Sequence, residues 1–535
     1  MVTPWRTADP RLSRPLAALL VAVAIVAAAC SGDDSSSTGR SASPLTPGIL
    51  RVGIERPQSL DPAQARSPSE LLVAEQLFDG LTAYDAASSA VVPATAASWT
   101  SSPDQTRWEF KLRPDAKFAN GRVVTSADVK YSFERIARKG SSSPAAAQLD
   151  AVAGFKAFNI EGRAEELSGI STPSEAVVVV VLDQSQAALP AILGNPAFGI
   201  VPREAVEAPA PSFAQEPVGS GPFMISGRTE DLVHLVPAPG VNMALRGVDL
   251  EVLPDATASY EAFLDGRLDW TAVPSDRVEQ VAERHGRTAF RPYMGQLFYG
   301  FNLKSSKFAD VRFREAIVRA IDRDAIVRAI YGAAAQRLDG LVPEGVPGYQ
   351  AGACGDRCGY DPGRAKALVA EVFGGQGVPE IAIDFDDTGT QKAVAEAMQA
   401  NLLAAGIPVI LRAHPFADYL KFAVSGGQEI FRLGWIGPYP TADAFLTPLF
   451  RTGLADNVTG FSSVPVDDLL RAGRAEPDEA KRAASYQQAE KLVLEQLPVI
   501  PLAQFEFHSL VSGRVTGLVM SGLGTFDATR VQVGG

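Results

Sequence analysis

Histidine and cysteine are scarce in this sequence, which argues against a bound metal ion. The 535 residues include four histidines and three cysteines. The histidines are scattered, at His234, His285, His414 and His508. A structural zinc site usually needs four nitrogen or sulfur ligands, so the neighbouring Cys354 and Cys358 would lack two. We therefore expect no metal site and no cofactor.

Basic runs and the motifs of common enzyme classes are also missing. The net charge is −12 and no long basic run appears, which argues against a nucleic-acid partner. The sequence has no Ser-x-x-Lys, His-Glu-x-x-His or Gly-x-Ser-x-Gly motif and no phosphate-binding loop. The acidic residues Asp384, Asp386 and Asp387 form a cluster, but such clusters are common on protein surfaces. We expect a protein that is not an enzyme.

Long apolar runs are confined to the N-terminus, where residues 15–29 read PLAALLVAVAIVAAA. A transmembrane helix needs about 20 apolar residues, so this run is too short to span a membrane comfortably. Arginines precede it, and small residues end it. Residues 1–29 are therefore predicted to be a signal peptide.

The signal segment ends in Ala27-Ala28-Ala29-Cys30, which resembles a bacterial lipobox. Ala27 departs from the Leu, Val or Ile that is usual there. We expect Cys30 to carry lipid and to hold the protein at the outer face of the cytoplasmic membrane, with ordinary secretion as the alternative. Residues 30–46 are rich in Ser, Gly, Asp and Thr and should form a flexible tether.

The two remaining cysteines, Cys354 and Cys358, lie between glycines and are four residues apart. Thiols of exported proteins tend to oxidise, and glycines permit a tight turn. A local disulfide is therefore predicted.

The chain is too long for one compact core of ordinary size, and its patterns alternate between strand and helix. Residues 49–54 read as a first strand. Residues 126–136, 311–330, 391–405 and 479–497 show helical spacing of apolar residues. The pattern predicts an α/β or α+β class with open sheets and two or three lobes.

Six groups of motifs, in order along nearly the whole mature chain, resemble the substrate-binding proteins of ABC importers in solute-binding family 5, which includes oligopeptide-, dipeptide- and nickel-binding proteins. The groups are SLDP (59–62) with LFDGLT (77–82); FKLRPDAKFANG (110–121) through Arg135; PVGSGPF (217–223); FNL (301–303) with residues 308–323; residues 343–368; and GW (434–435) with LPVIPL (497–502). Most of these residues set turns and caps. They therefore indicate the fold without touching ligand.

The resemblance implies a type II periplasmic-binding-protein fold, in which two lobes enclose a ligand cleft beside an extra subdomain. We place lobe I discontinuously at residues 47–93, 214–286 and 498–535. The subdomain inserted in lobe I is placed at 94–213 and lobe II at 287–497.

The resemblance also implies ligand-binding residues on the two lobes. The expected set is Glu55, Arg56, Pro57, Gln58, Tyr299, Asn302, Arg432, Trp435, Gly437, Tyr439 and Asp443. In oligopeptide binders an Asp three residues after the tryptophan pairs with the ligand's α-amine, but here that residue is Pro438. Asp443 or Glu55 would have to replace it, or the ligand has a blocked or absent amine.

The function implied is capture of short peptides and their delivery to the membrane subunits of an ABC permease, by a binding protein that we expect to be a monomer. Alternatives on the same fold are a nickel or haem complex, an oligosaccharide or a blocked peptide as ligand, or a role as a surface sensor, because fold does not fix ligand.

We predict that Cys30→Ala releases the protein from the membrane or leaves the precursor uncleaved, because the mutant lacks the thiol that lipid would modify. Membrane fractionation and intact mass of wild type and mutant provide the measurement. Unchanged retention and mass in the mutant would contradict lipidation at Cys30.

Overall fold

The structure is a computed structural model that describes residues 47–285 and 290–534. The signal segment, Cys30, the tether and the predicted lobe boundary at 286/287 lie outside the described residues. No helix within the described ranges is long and apolar enough to cross a membrane.

Strands in the described ranges fall into one large sheet and three small ones. Their bounds are β1 (Ile49–Glu55), β2 (Thr82–Tyr84), β3 (Val91–Pro93), β4 (Ala96–Ser101), β5 (Arg107–Leu112), β6 (Ile170–Ser174), β7 (Val177–Val181), β8 (Phe223–Arg228), β9 (Leu232–Pro237), β10 (Gly247–Leu253), β11 (Trp270–Ala272), β12 (Phe290–Phe301), β13 (Ala335–Arg337), β14 (Ile381–Asp386), β15 (Val409–His414), β16 (Ile430–Ile436), β17 (Val499–Val511), β18 (Val515–Thr516) and β19 (Gln532–Val533).

Helices connect these strands and cover the sheets. Their bounds are α1 (Pro68–Leu77), α2 (Ser126–Ala137), α3 (Leu189–Ile192), α4 (Arg203–Val206), α5 (Ala256–Leu264), α6 (Val278–His285), α7 (Val311–Ala320), α8 (Arg323–Ile330), α9 (Pro362–Phe373), α10 (Gly389–Ala404), α11 (Phe416–Ala423), α12 (Asp443–Phe450), α13 (Val464–Ala475) and α14 (Glu479–Gln496). The mixture of helices with parallel and antiparallel strands confirms the α/β expectation.

The large sheet has eleven strands in the order β15-β14-β16-β12-β17-β11-β1-β10-β9-β8, with β13 added on β17. At its centre β12 and β17 run antiparallel, and they are 12 and 13 residues long. The strand β17 begins beside β12 and ends beside β11. These two strands therefore connect the half of the sheet that contains β14–β16 to the half that contains β1.

A separate sheet, β4-β5-β7-β6, packs with α2 and lies within residues 94–213, where the subdomain was predicted. On the lobe I side, Arg135 of α2 forms an ion pair with Asp61. On the other side, its buried apolar residues are continuous with the core beneath β12 and β16. The subdomain therefore touches both halves of the molecule.

The structure corrects one helix prediction, because residues 311–330 form two helices and not one. The break lies between Ala320 and Arg323. Asp322 leaves the helical conformation, and its carboxylate accepts a hydrogen bond from the Ala325 N–H at 2.9 Å. An N-terminal cap of this kind is worth about 1 kcal/mol, so the sequence starts a new helix there.

Cys354 and Cys358 form a disulfide across one short helical turn. Their Cα atoms are 5.7 Å apart, within the usual range for this bond. The bond closes a local loop that packs its sulfur atoms into the core.

Glu490 of α14 has a buried carboxyl group, and only one of its two oxygens accepts hydrogen bonds from described residues. It is 1% exposed, and its Oε1 accepts hydrogen bonds from the N–H groups of Leu341 at 2.5 Å and Val342 at 3.2 Å. Its Oε2 has no hydrogen-bond partner among the described residues. Burial raises the pKa of Glu490 from 4.5 to about 7.

We predict that Glu490→Gln changes the pH dependence of stability. Because the folded-state pKa lies above the unfolded value, the unfolded chain releases its proton first and the wild type loses stability as the pH rises from 4.5 to about 7. The free energy of unfolding of the mutant, relative to wild type, should rise by roughly 3 kcal/mol over that window. Denaturant unfolding at several pH values measures this, and the exposed Glu495→Gln in the same helix is the control. Parallel curves for Glu490→Gln and wild type would contradict the prediction.

Candidate functional site

The strand β16 has one edge without a strand partner along most of its length. It pairs with β12 from Ile430 to Ile436. It pairs with β14 at Ile430 and Phe431 alone, since the two strands then diverge. Among the described residues, no strand covers the β14 side of residues 432–436. Tyr419 of α11 donates a hydrogen bond to the Arg432 carbonyl oxygen at 2.7 Å, so the part of this edge that can bind an extended chain through backbone donors and acceptors is residues 433–436.

One face of this edge is apolar and borders a cavity of about 200 Å³. The strand itself contributes Leu433 and Trp435, and β12 contributes Phe298, which is paired with Leu433. The complete lining is Phe298, Ala423, Val424, Leu433, Gly434, Trp435, Leu449, Asp456 and Val458. This cavity offers room beside the open backbone edge.

The indole of Trp435 is mostly buried in the hydrophobic core. It is 6% exposed, and its Nε1–H donates a hydrogen bond to the Ala444 carbonyl oxygen at 2.7 Å. Trp435 thus fixes β16 against the start of α12 while one part of its surface lines the cavity.

The opposite face of the edge is polar. Arg432 lies directly opposite Tyr299 in the sheet, and its Nη1 is 3.4 Å from Asp386 Oδ2. Tyr299 Oη and Arg432 Nε are buried and have no hydrogen-bond partner in the described ranges. Burial raises the pKa of Tyr299 above its ordinary value, so the phenol is neutral and can donate. These groups make this face polar, and the Tyr299 side chain among them is fully buried.

The predicted lobe I segment follows β1 and is held by the start of α1. The Gln58 N–H donates to Glu70 Oε1 at 2.9 Å, and the Glu55 N–H donates to Ser69 Oγ at 3.2 Å. Pro57 is buried, whereas the side chains of Glu55, Arg56 and Gln58 are exposed.

Arg56 of this segment is engaged within lobe I. Its guanidinium bonds the Glu230 carbonyl oxygen at 2.9 Å and Asp231 at 3.3 Å. Among the described residues, no hydrogen bond or ion pair joins residues 55–58 to residues 432–439 in this conformation. No polar contact between described residues therefore links the two predicted halves of the site.

Asp443 and Tyr439 have a structural role in this conformation, and neither offers a free polar group to a ligand. Asp443 is 1% exposed. Its carboxylate accepts hydrogen bonds at 2.6 to 3.2 Å from four side chains, those of Gln186, Tyr439, Thr447 and Tyr486. Because both oxygens are occupied, Asp443 is a poor candidate for the amine of a ligand.

Asn302 and Gly437 also have structural roles, Asn302 through hydrogen bonds and Gly437 through close packing. The Asn302 amide donates to the carbonyl oxygens of Gly426 at 3.1 Å and Gln428 at 2.9 Å, which fixes the loop before β16. At Gly437 a Cβ atom would collide with the ring of Phe445. These contacts account for the positions of Asn302 and Gly437, and contact of either residue with a ligand stays a prediction.

Asp386 lies beside the predicted site residue Arg432, a placement that the sequence interpretation missed. Asp384 and Asp386, expected on a surface, are 0% and 1% exposed. Asp384 forms a bidentate pair with Arg412, with two contacts of 2.7 Å, and Asp386 pairs with Arg432. The sequence did contain a signal of this burial, since both acids lie within the apolar strand segment IAIDFD of β14.

The fold and this edge define an α/β binding protein whose two halves are joined by a pair of long strands. The model of the bacterial extracellular solute-binding proteins, family 5, matches residues 90–457. The chain belongs to this family, which confirms the resemblance found in the sequence.

Three characterised relatives illustrate the range of the family. The chain is 26% identical to the periplasmic murein peptide-binding protein MppA of Escherichia coli K12, over 88% of this chain and 90% of that protein. It is 25% identical to the dipeptide-binding protein of the same organism, over 86% and 92%. It is 26% identical to the heme-binding protein A of Haemophilus influenzae, over 95% and 97%.

Solved structures confirm the two-lobed, type II fold. The unliganded open form of MppA superposes with a TM-score of 0.82 at 24% identity and covers 91% of this chain and 98% of that one. A second structure of E. coli MppA superposes over the same shares with a TM-score of 0.67.

We predict that Trp435→Ala lowers the free energy of unfolding by about 3–5 kcal/mol, because it removes a large buried side chain and strands the Ala444 carbonyl. Denaturant unfolding of mutant and wild type gives this value. Trp99→Ala, at a half-buried tryptophan of the subdomain, should cost less. A loss below about 1 kcal/mol at Trp435 would show that the indole is not part of the core.

Proposed function

We propose that this protein captures short peptides outside the cytoplasm by pairing their extended backbone with the open edge of β16 at residues 433–436. The observation that carries the proposal is the loss of β14 pairing after Phe431. Backbone pairing gives affinity to peptides of many sequences, because every residue carries the same donor and acceptor. The peptide-binding relatives support the same ligand class.

Recognition of the peptide would depend little on its charged ends. Pro438 stands where an acid for the amine was expected, and Asp443 is fully occupied. Arg432, the natural partner for a carboxylate, already pairs with the buried Asp386. Among the acids that the sequence suggested for the amine, the exposed Glu55 remains.

The ligand would act by closing the two halves of the molecule. A ligand shifts an open–closed equilibrium only if it binds the closed form more tightly. A peptide on the β16 edge that also reaches residues 55–58 would meet this condition. The closed, loaded protein would then be presented to an ABC permease, and lipid on Cys30 would keep it at the membrane.

The proposal predicts an alternating response to N-methylation of the peptide backbone. Successive N–H groups of an extended chain point in opposite directions, so methylation should weaken binding about three- to tenfold at every second position and little at the others. Calorimetric titration with a bound peptide and its mono-N-methyl series measures this. The peptide can be chosen by native mass spectrometry of protein purified from its own host.

Two outcomes would contradict this proposal. A uniform response to methylation would exclude strand pairing, and a co-purified haem or sugar with no measurable peptide binding would exclude a peptide ligand. N-acetylation of the same peptide should cost little affinity. A large loss that Glu55→Gln reproduces would assign the amine to Glu55.

A further inference from the structure

The cavity beside β16 is part of the same surface as the open edge. Leu433, Gly434 and Trp435 of the edge form one of its walls. Side chains of paired residues on neighbouring strands lie on the same face of a sheet. A peptide paired with this edge would therefore place a side chain on the face of Leu433 and Trp435, at the mouth of the cavity.

The walls of the cavity are apolar apart from one acid. Aliphatic side chains come from Leu449 of α12, from Val424 just after α11, and from Val458. The charged side chain in the described lining is Asp456, which is half-buried. A wall of this composition disfavours an anionic side chain and offers a neutral polar one little compensation for its lost hydration.

The size of the cavity also suits one side chain. Its volume is about 200 Å³, and an apolar protein cavity of roughly 150 Å³ is large enough to bind benzene. The side chain of Val424 at this site is 63% exposed, so an occupant would remove apolar surface from water on both partners.

We propose that this cavity selects peptides that carry a large aliphatic or aromatic side chain, such as Leu or Phe, at one fixed position. The inference rests on the proposed pairing of peptide with β16. The adjacent side chains of the ligand would point to the opposite face, toward Arg432 and Tyr299, so the site prefers an apolar residue flanked by polar ones.

The test uses a tetra-alanine peptide and variants in which Leu, Phe, Glu or Lys replaces Ala at each position in turn. Calorimetric competition against the mature protein should show a gain of about tenfold for Leu or Phe over Ala at one position, and no gain for Glu there. Burial of the additional methylene groups accounts for a gain of this size.

A cavity-filling variant tests whether the preference for Leu or Phe depends on this cavity. Val424→Trp should reduce the Leu-to-Ala affinity ratio at that position toward one, and Val424→Phe provides a smaller filling group if the tryptophan variant unfolds. The matched control is Val241→Trp in lobe I, at another exposed valine (39% exposed), which should keep the wild-type ratio.

The outcomes separate this inference from the proposed function. Failure of every peptide to bind would contradict the proposed function itself. Peptide binding with no position that prefers Leu or Phe would overturn the inference alone, as would a preference that survives Val424→Trp and Val424→Phe. A dominant preference for Lys would show that Asp456, and not the apolar walls, decides the selection.

Discussion

The antiparallel pairing of β12 with β17 is the interaction on which the rest of the molecule depends. Each half of the large sheet is built on one side of this pair, and β17 passes from one half to the other. These two continuous strands therefore link the halves directly. The same strand β12 supports β16, so the connection between the lobes also positions the open edge.

The segment that follows this edge is held by a buried polar network that reaches the subdomain. Asn195 donates to the Pro438 carbonyl oxygen at 2.9 Å, and Gln186 donates to Asp443 at 3.2 Å. A buried acid that accepts several hydrogen bonds holds one conformation strongly, since removing any donor leaves part of its charge unsatisfied. The chain after β16 is therefore fixed, which keeps the edge extended and ready for a partner.

Sequence reasoning reached the class and the family, but not the hydrogen-bond partners of single residues. Motifs such as FKLRPDAKFANG identify a fold because turns and caps depend on nearby residues. The roles of Asp443 and Asn302 depend on partners distant in sequence, such as Gln186 and Gly426, and no local pattern encodes those. The break at Asp322 was missed because apolar periodicity continues across it.

The pairing of Arg432 with Asp386 changes what the site can recognise. An unpaired buried arginine would favour anionic ligands strongly, because an isolated buried charge is very costly. Here Asp386, at 3.4 Å, compensates the charge of Arg432 within the protein. The groups that remain accessible are backbone atoms of residues 433–436 and an apolar cavity, both of which interact with neutral parts of a peptide. A site of this kind discriminates by the pattern of side chains along the ligand and not by its charged ends, which is consistent with the loss of the expected acid at Pro438.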